Sequence, residues 1–184
     1  PHGRIAVTNA QPEHGTKTLD VITIGRASVD LYGQQIGTRL EDVGSFAKSV
    51  GGCPANIAVG TARLGLKSAL ITRVGHEQMG RFIVEQLEGV ETAGIATDPA
   101  RLTALVLLSV EAEGVSPMIF YRTDCADMAL DEGDIDEALI ASARSIVVTG
   151  THFSRPNSEA AQKKAIRIAK ASGARIAFDI DYRP

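Results

Sequence analysis

Cysteine, surplus charge and long apolar runs are all scarce in this sequence. Cys53 and Cys125 are its only cysteines, and they form no Cys-x-x-Cys pair or other metal-ligand spacing. We therefore expect no disulfide framework and no metal site, and the scarcity fits a reducing, cytoplasmic compartment. The longest strongly apolar stretch, Leu102 to Val110, is far shorter than the roughly 20 residues that a membrane helix needs. No membrane segment is predicted.

The charge is nearly balanced. The 184 residues include 19 basic and 22 acidic ones, which gives a formal net charge of −3. Such a chain has no strong positive field to hold nucleic acid or an anionic membrane surface. An anionic ligand would need a local site built from a few Arg or Lys side chains or from helix N-termini. We expect small-molecule partners, and neither nucleic acid nor membrane.

The apolar pattern predicts an α/β fold that begins at Leu19. The polar residues 1–18 contain Pro12 and Gly15 and are predicted to form an N-terminal extension. Short β-branched runs predict strands, and longer runs with apolar residues three or four positions apart predict helices. The predicted strands are 19–25, 68–74, 145–149 and 175–179, and the predicted helices are 55–64, 79–88, 135–143 and 157–172. This alternation predicts a mostly parallel sheet with helices on both faces.

Two strand-rich insertions, at about 33–50 and 102–122, do not fit the alternation. The second one contains two strand-like runs joined by the turn Glu111-Ala-Glu-Gly114. We predict that the insertions form a small separate sheet over one edge of the main sheet, as a lid. Exposed edge strands in such a sheet favour a homodimer.

Polar residues follow the predicted core strands, at the edge where open α/β sheets bind ligands. Asp30 follows the first strand and is a candidate to accept hydrogen bonds from two sugar hydroxyls; a turn-forming or helix-capping role is the alternative. Gly51 and Gly52 precede a helix whose first turn contains Asn56. They would let a ligand approach the backbone and the free N–H groups there, although a tight loop before a close-packed helix is the alternative.

The last predicted strand ends in two acidic residues. Asp179 and Asp181 lie two positions apart, so on a strand they would share a face. We expect one to bind the ligand and the other to brace the backbone or Arg183, with strand-end capping as the alternative. Arg122 and Arg183 follow predicted strands and are candidates for an anionic group of the substrate, with surface solvation as the alternative. Cys53 is predicted to be a small packed residue.

Several of these residues belong to longer segments that resemble the ribokinase-like (PfkB) carbohydrate kinases. The segments are Val50-Gly51-Gly52-Cys53-Pro54-Ala55-Asn56-Ile57-Ala58 with Leu64-Gly65 after it, and Arg73-Val74-Gly75-His76-Glu77-Gln78-Met79-Gly80, together with Asp30 and Gly33. The resemblance runs from about Leu19 to Pro184 and corresponds to the N-terminal part of a usual member. It implies the three-layer α/β/α ribokinase-like fold with a small β lid, incomplete at the C-terminus.

Within that family, the segments 119–122, 125–130, 148–154 and 178–184 are similar to the 5-dehydro-2-deoxygluconokinase group. The resemblance implies phosphorylation of a keto-sugar acid, with ATP and Mg2+ as cofactors. It implies that Asp30, Gly51, Gly52 and Asn56 bind the sugar, that Arg122 and Arg183 lie near its acid group and the transferred phosphate, and that Gly33, Asp179 and Asp181 support the site. A 2-keto-3-deoxygluconate kinase or a ribokinase stays open as an alternative.

The sequence departs from the family pattern in two places. His76 stands where the family often has Asp, which implies a local change of helix capping. The family's C-terminal Gly-Ala-Gly-Asp motif is not found, since the only Gly-Asp, Gly133-Asp134, precedes a predicted helix. That motif stabilises the phosphoryl charge and supplies the base, so we expect the base beyond Pro184 and no activity from this chain alone. The alternative of another class is a non-catalytic sugar-binding or interaction module.

Overall fold

The computed structural model describes residues 17–112 and 116–181 of the chain. Within them lie ten strands and four α-helices. The strands are β1 (Leu19–Ile24), β2 (Ser28–Gly33), β3 (Phe46–Gly51), β4 (Ser68–Gly75), β5 (Val90–Glu91), β6 (Ile95–Asp98), β7 (Ala104–Leu108), β8 (Met118–Tyr121), β9 (Ala143–Thr149) and β10 (Arg175–Asp179). The helices are α1 (Cys53–Arg63), α2 (Gln78–Gln86), α3 (Glu137–Ala141) and α4 (Pro156–Ala171).

The main sheet is parallel throughout its described pairings. Its strand order is β10-β9-β1-β4-β5, and β6 also pairs with β4. In register, Ile22 lies opposite Ala69 on one side and Ile146 on the other. Parallel strands that are buried on both faces carry near-continuous apolar sequence, which is the pattern that predicted them. The predicted parallel sheet is confirmed.

Helices cover both faces of this sheet because successive strand residues point to opposite sides. Ala69 and Ile71 of β4 belong to the core on the side of α3 and α4, whereas Leu70 and Val74 belong to the core on the side of α1 and α2. Alanines at positions 161, 165 and 169 let α4 approach closely, and all three are fully buried. The result is the predicted three-layer α/β/α arrangement.

A second sheet has the strand order β3-β2-β7-β8. β2 is antiparallel to β3 and parallel to β7, and β8 closes the edge antiparallel to β7. Both insertions contribute strands to it, but β2 begins at Ser28, before the first insertion. Asp30, which was expected only to follow the first strand, therefore lies in a second strand. The reason is packing, since Val29 is fully buried against the cluster that includes α1 and α2.

Glu77 ties the second sheet to the main one. It caps α2 by accepting hydrogen bonds from the N–H groups of Met79 and Gly80, and its Oε1 accepts the N–H of Thr103, just before β7, at 2.7 Å. Partial burial pushes the pKa of Glu77 up, but hydrogen bonds from Thr103, Gly80 and Met79 outweigh it and lower this pKa below its ordinary value. The capping role that we expected to change at His76 is filled by its neighbour Glu77.

The helices are short or amphipathic. In residues 17–112 and 116–181, no helix is both long and apolar enough to cross a membrane.

Candidate sugar-binding cleft

A cleft of about 500 Å3 lies between the N-terminus of α1 and one face of the second sheet. Its apolar side is made by alternate residues of β2, β7 and β8, which share a face because of the strand repeat. Its polar side comes from Asp30 and from the segments that flank α1 and β1. The lining residues are Arg26, Asp30, Tyr32, Gly52, Cys53, Asn56, Ile57, Val106, Leu108, Met118 and Phe120.

Asp30 is the acidic group of this cleft. The register places it opposite Ser49 of β3 and Val106 of β7, and it is half-buried. The hydroxyl of Ser28 donates a hydrogen bond to Asp30 Oδ1 at 3.1 Å, which helps to fix the carboxylate. A Cβ atom at Gly51 would overlap that carboxylate. Gly51 thus does not line the cleft but leaves the space in which Asp30 lies.

Gly52 and Asn56 lie at the start of α1, on the cleft side. Gly52 is the N-cap residue with φ +97°, a conformation that favours glycine, and a Cβ there would overlap the carbonyl oxygen of Arg26. The side chain of Asn56 is exposed at the cleft. Backbone N–H groups in the first turn of a helix lack intrahelical partners, so this end of α1 can donate to a ligand oxygen.

Arg26 is a cleft residue that the sequence analysis missed. It lies between β1 and β2 and is only 7% exposed, although it lines the cleft. Its Cζ lies 5.7 Å from the ring centre of Phe120 in β8, a cation–π contact between the two sheets. The only sequence signal was its place directly after a core strand.

The acidic pair at the end of β10 is arranged differently from the prediction. β10 ends at Asp179, and Asp181 lies beyond it with φ +44°, so the two residues do not share a strand face. Asp179 Oδ1 accepts the N–H of Asp181 at 3.1 Å, which is the strand-end capping alternative. Asp179 Oδ2 accepts a hydrogen bond from Cys53 Sγ at 2.6 Å. Cys53 is therefore a polar contact of the cleft wall and not merely a small packed residue.

Arg122 lies outside the cleft, as far as the described residues show. Its Nε and Nη2 both contact Asp127 Oδ2, at 2.7 and 2.6 Å, and Asp127 is 1% exposed. The backbone oxygen of Asp127 lies 3.3 Å from Nε2 of His152, which is also buried. Arg122 is thus held by a buried carboxylate at the junction between the two sheets, instead of reaching the Asp30 cleft.

His152 is kept neutral by this surrounding. Burial is the largest cause that lowers its pKa, to about 4 from the ordinary 6.5; Asp127 opposes the shift, while Arg122 and Arg26 add to it. Both guanidinium charges therefore act on the same imidazole.

Two predicted site residues remain to be placed. Gly33 ends β2 and packs under Val43, where an added Cβ would lie 3.0 Å from Val43 Cγ2. It shapes the second sheet and does not line the cleft. Arg183 lies outside the described residues. In the part of the chain that the structure describes, no group of three or more His, Cys, Asp or Glu side chains is placed to hold a metal ion.

The comparison with protein families identifies the chain. The model of the pfkB family of carbohydrate kinases matches residues 18–184. The chain belongs to the pfkB family of carbohydrate kinases. The segment from Val50 to Ala58, which carried the resemblance to this family, forms the end of β3 and the start of α1 beside Asp30.

Curated relatives in this family share a name. The 5-dehydro-2-deoxygluconokinase of Geobacillus kaustophilus is 39% identical over 171 residues, which are 91% of this chain and 51% of the relative. The enzyme of the same name from Listeria monocytogenes is 35% identical over 175 residues, covering 94% of this chain and 54% of the relative. The chain thus spans about half the length of the curated relatives it matches.

Solved pfkB-like structures have the same fold. A sugar kinase from Pyrococcus horikoshii in complex with ATP is 33% identical, with a TM-score of 0.81 over 89% of this chain and 53% of that one. A candidate ribokinase II from Escherichia coli in complex with ATP and Mg2+ is 27% identical, with a TM-score of 0.83 over 90% and 54%. The ribokinase-like fold is therefore confirmed for this part of the family domain.

Proposed function

We propose that the protein containing this chain is a cytoplasmic, ATP-dependent kinase that phosphorylates a primary hydroxyl of 5-dehydro-2-deoxygluconate. The observation that carries the proposal is the cleft in which Asp30 and Asn56 stand beside the N-terminus of α1. The shared name of the curated relatives supports the substrate, and the ATP complexes of the solved neighbours support ATP. Cys53 and Cys125 form no disulfide, which suits a reducing compartment.

In this proposal the chain supplies the sugar half of the site. The Asp30 carboxylate accepts hydrogen bonds from sugar hydroxyls, and Ser28 keeps that carboxylate oriented. Asn56 and the backbone N–H groups at the N-terminus of α1 donate hydrogen bonds to sugar oxygens on the side of the cleft opposite Asp30. The contribution of these residues is positioning, because phosphoryl transfer depends chiefly on holding the acceptor hydroxyl in line and on stabilising charge.

ATP and Mg2+ are proposed to bind outside the cleft residues just named. Mg2+, when bound with ATP, would neutralise charge on the phosphates. We assign no residue of this chain to the ion, which is usually held by one or two carboxylates together with the nucleotide phosphates. The base that takes the proton from the attacking hydroxyl is likewise proposed to lie beyond Pro184.

The role of Asp30 is tested by replacing it with alanine in a protein of the relatives' full length. Each charge-assisted hydrogen bond contributes roughly 1.5–3 kcal/mol, so Asp30→Ala should raise the Kd for 5-dehydro-2-deoxygluconate about 100-fold. The Kd for ATP should stay within about twofold, because distant sites contribute independently. Calorimetric titration with each ligand measures both values.

Asp42→Ala is the matched control, since Asp42 is an exposed carboxylate paired with Arg39 and outside the cleft. It should leave both Kd values unchanged. Unchanged sugar affinity in Asp30→Ala would remove Asp30 from the site. Turnover measured on a substrate panel that also contains 2-keto-3-deoxygluconate and ribose distinguishes the proposed kinase from a 2-keto-3-deoxygluconate kinase and from a ribokinase. Sugar binding without ADP formation by the longer protein would favour the non-catalytic module.

We also propose that the second sheet pairs with that of another copy through β8. All four residues of β8 are exposed, with Ile119 at 46% and Tyr121 at 56%, and the strand's outer edge has no neighbour among the described residues. A hydrophobic edge strand is a template for pairing with another strand. Light scattering should give the mass of a dimer, and the mass of a single copy at micromolar concentration would contradict this pairing.

A further inference from the structure

The polar and the apolar side chains of the cleft are carried by different elements. Among the described residues that line it, the polar side chains lie on α1, on β2 and between β1 and β2. β7 and β8 contribute four side chains without a strong hydrogen-bond donor or acceptor, namely Val106, Leu108, Met118 and Phe120. These four residues form the apolar wall of the cleft.

The strand register makes the apolar wall one continuous surface. Val106 lies opposite Phe120, and Leu108 lies opposite Met118. Residues two positions apart on a strand share a face, so both pairs face the same side of the sheet. Asp30 of β2 lies opposite Val106 on the other side of β7. Because neighbouring strands are about 5 Å apart, a sugar-sized ligand bound at Asp30 also covers part of the wall.

The wall offers apolar surface for a ligand to cover. Val106 and Leu108 are buried, whereas Met118 and Phe120 are 47% and 45% exposed. Covering such surface with an apolar part of a ligand is favourable. A hydroxyl group pressed against it would give up its hydrogen bonds to water and gain none from these side chains. The wall therefore favours a ligand carbon that carries no hydroxyl.

We propose that the apolar wall binds the deoxygenated carbon 2 of the substrate and makes the kinase select a 2-deoxy sugar acid over its 2-hydroxy counterpart. The inference rests on the proposed function, whose substrate has a methylene group at that carbon. The remaining hydroxyls face Asp30 and the start of α1, on the polar side of the cleft. The two sides together determine which way round the substrate lies.

The test compares two substrates that differ only at carbon 2, in a protein of the relatives' full length. 5-Dehydrogluconate carries a hydroxyl where 5-dehydro-2-deoxygluconate has two hydrogens. We expect kcat/KM to be roughly 10- to 100-fold higher for the deoxy compound, mainly through KM. An unsatisfied hydroxyl costs about this much, and an apolar pocket does not reject an added hydroxyl more strongly.

Two variants place a hydrogen-bonding group in the wall at its exposed positions. Met118→Gln introduces an amide on a side chain of similar length, and Phe120→Tyr adds one hydroxyl to the ring. Each gives the hydroxyl at carbon 2 a partner, and at least one of them should narrow the deoxy-to-hydroxy ratio about tenfold. Ile119→Gln is the matched control, because Ile119 is 46% exposed on the same strand but points to the opposite face. It should leave the ratio unchanged.

Equal kcat/KM for the two compounds in the wild type would overturn the inference. So would a ratio that stays the same in both wall variants, or one that Ile119→Gln narrows equally, because the cleft face would then not be its cause. In each of these cases, wild-type turnover of 5-dehydro-2-deoxygluconate still supports the proposed function. A wild type that does not phosphorylate this compound overturns both.

Discussion

The two sheets of this chain bury their side chains in different ways. The main sheet is covered by helices on both faces, and Ile22, Ile71 and Ile146 are fully buried in it. The second sheet turns one face to the cleft, and every residue of its edge strand β8 is exposed. Because stability follows buried apolar area, we expect a buried residue of the main sheet to contribute more to the stability of the fold than a residue of the exposed strand β8.

This difference also separates the tasks of the cleft residues. The start of α1, which is anchored on the main sheet, presents Gly52 and Asn56 in a fixed place. Asp30 and Phe120 are carried by the second sheet, whose inner strand β2 packs on the core of α1 and α2 through the fully buried Val29, while its edge strand β8 is exposed. That the second sheet acts as a lid stays a prediction, and we expect its exposed strand β8 to be the part that moves.

The sharpest test of the comparison is a pair of isoleucine-to-alanine changes, one in each sheet. Ile146→Ala removes a fully buried side chain of β9 and should lower the free energy of unfolding by about 3–4 kcal/mol. Ile119→Ala removes a side chain of β8 that is 46% exposed and should cost less than about 1 kcal/mol. Urea unfolding followed by circular dichroism measures both.

Similar costs for the two variants would mean that the second sheet is as strongly held as the first. A cost for Ile119→Ala that grows with protein concentration would instead indicate that another copy covers β8, since dimer stability depends on concentration. The two variants therefore distinguish burial of β8 within one copy of the chain from burial between two copies.

Most of the main sheet could be predicted from sequence because its signals are local. The helix expected at 157–172 is α4, Pro156–Ala171, and β10 has the predicted bounds. β5 and β6 were missed because they have two and four residues, too few to show a period. The helix expected at 135–143 is only Glu137–Ala141, because Ala143 is taken into β9 beside Leu19. Pairing with a distant strand overrode the local pattern there.

The candidate site was predictable where its residues share one segment. Gly52 and Asn56 come from one signature, and Asp30 lies close before it in the chain. Arg26 was missed because its burial and its contact with Phe120 arise only when the second sheet folds over the cleft. The Cys53–Asp179 contact joins positions 126 residues apart, which no local pattern signals. The Arg122–Asp127 pair spans only five positions, but it is the burial of the carboxylate that makes breaking the pair costly, and burial was not visible in the sequence.

The pH dependence of stability probes the junction where the two sheets meet. The pKa of His152 is about 4 in the folded protein and ordinarily 6.5, so the unfolded chain binds one more proton between these values. The free energy of unfolding contributed by His152 is therefore complete above pH 6.5 and falls as the pH drops towards 4. The loss should total about 3 kcal/mol at most, or roughly 1.4 kcal/mol per pH unit at its steepest.

The measurement is the slope of the unfolding free energy against pH between about 4.8 and 6.5. Glu77 and Asp98, whose pKa values are lowered, keep their full contribution above their ordinary values of 4.5 and 3.8 and lose it only at lower pH. Asp134, whose pKa is raised by burial from 3.8, adds a slope of opposite sign just above that value in the parent and the variants alike. His152→Gln should remove most of the slope, whatever its own stability, and His76→Gln, at an exposed position, should retain it. The same slope in His152→Gln as in the parent would mean that the imidazole has its ordinary pKa in the folded protein, which requires that water reaches His152 and that its burial at this junction is lost.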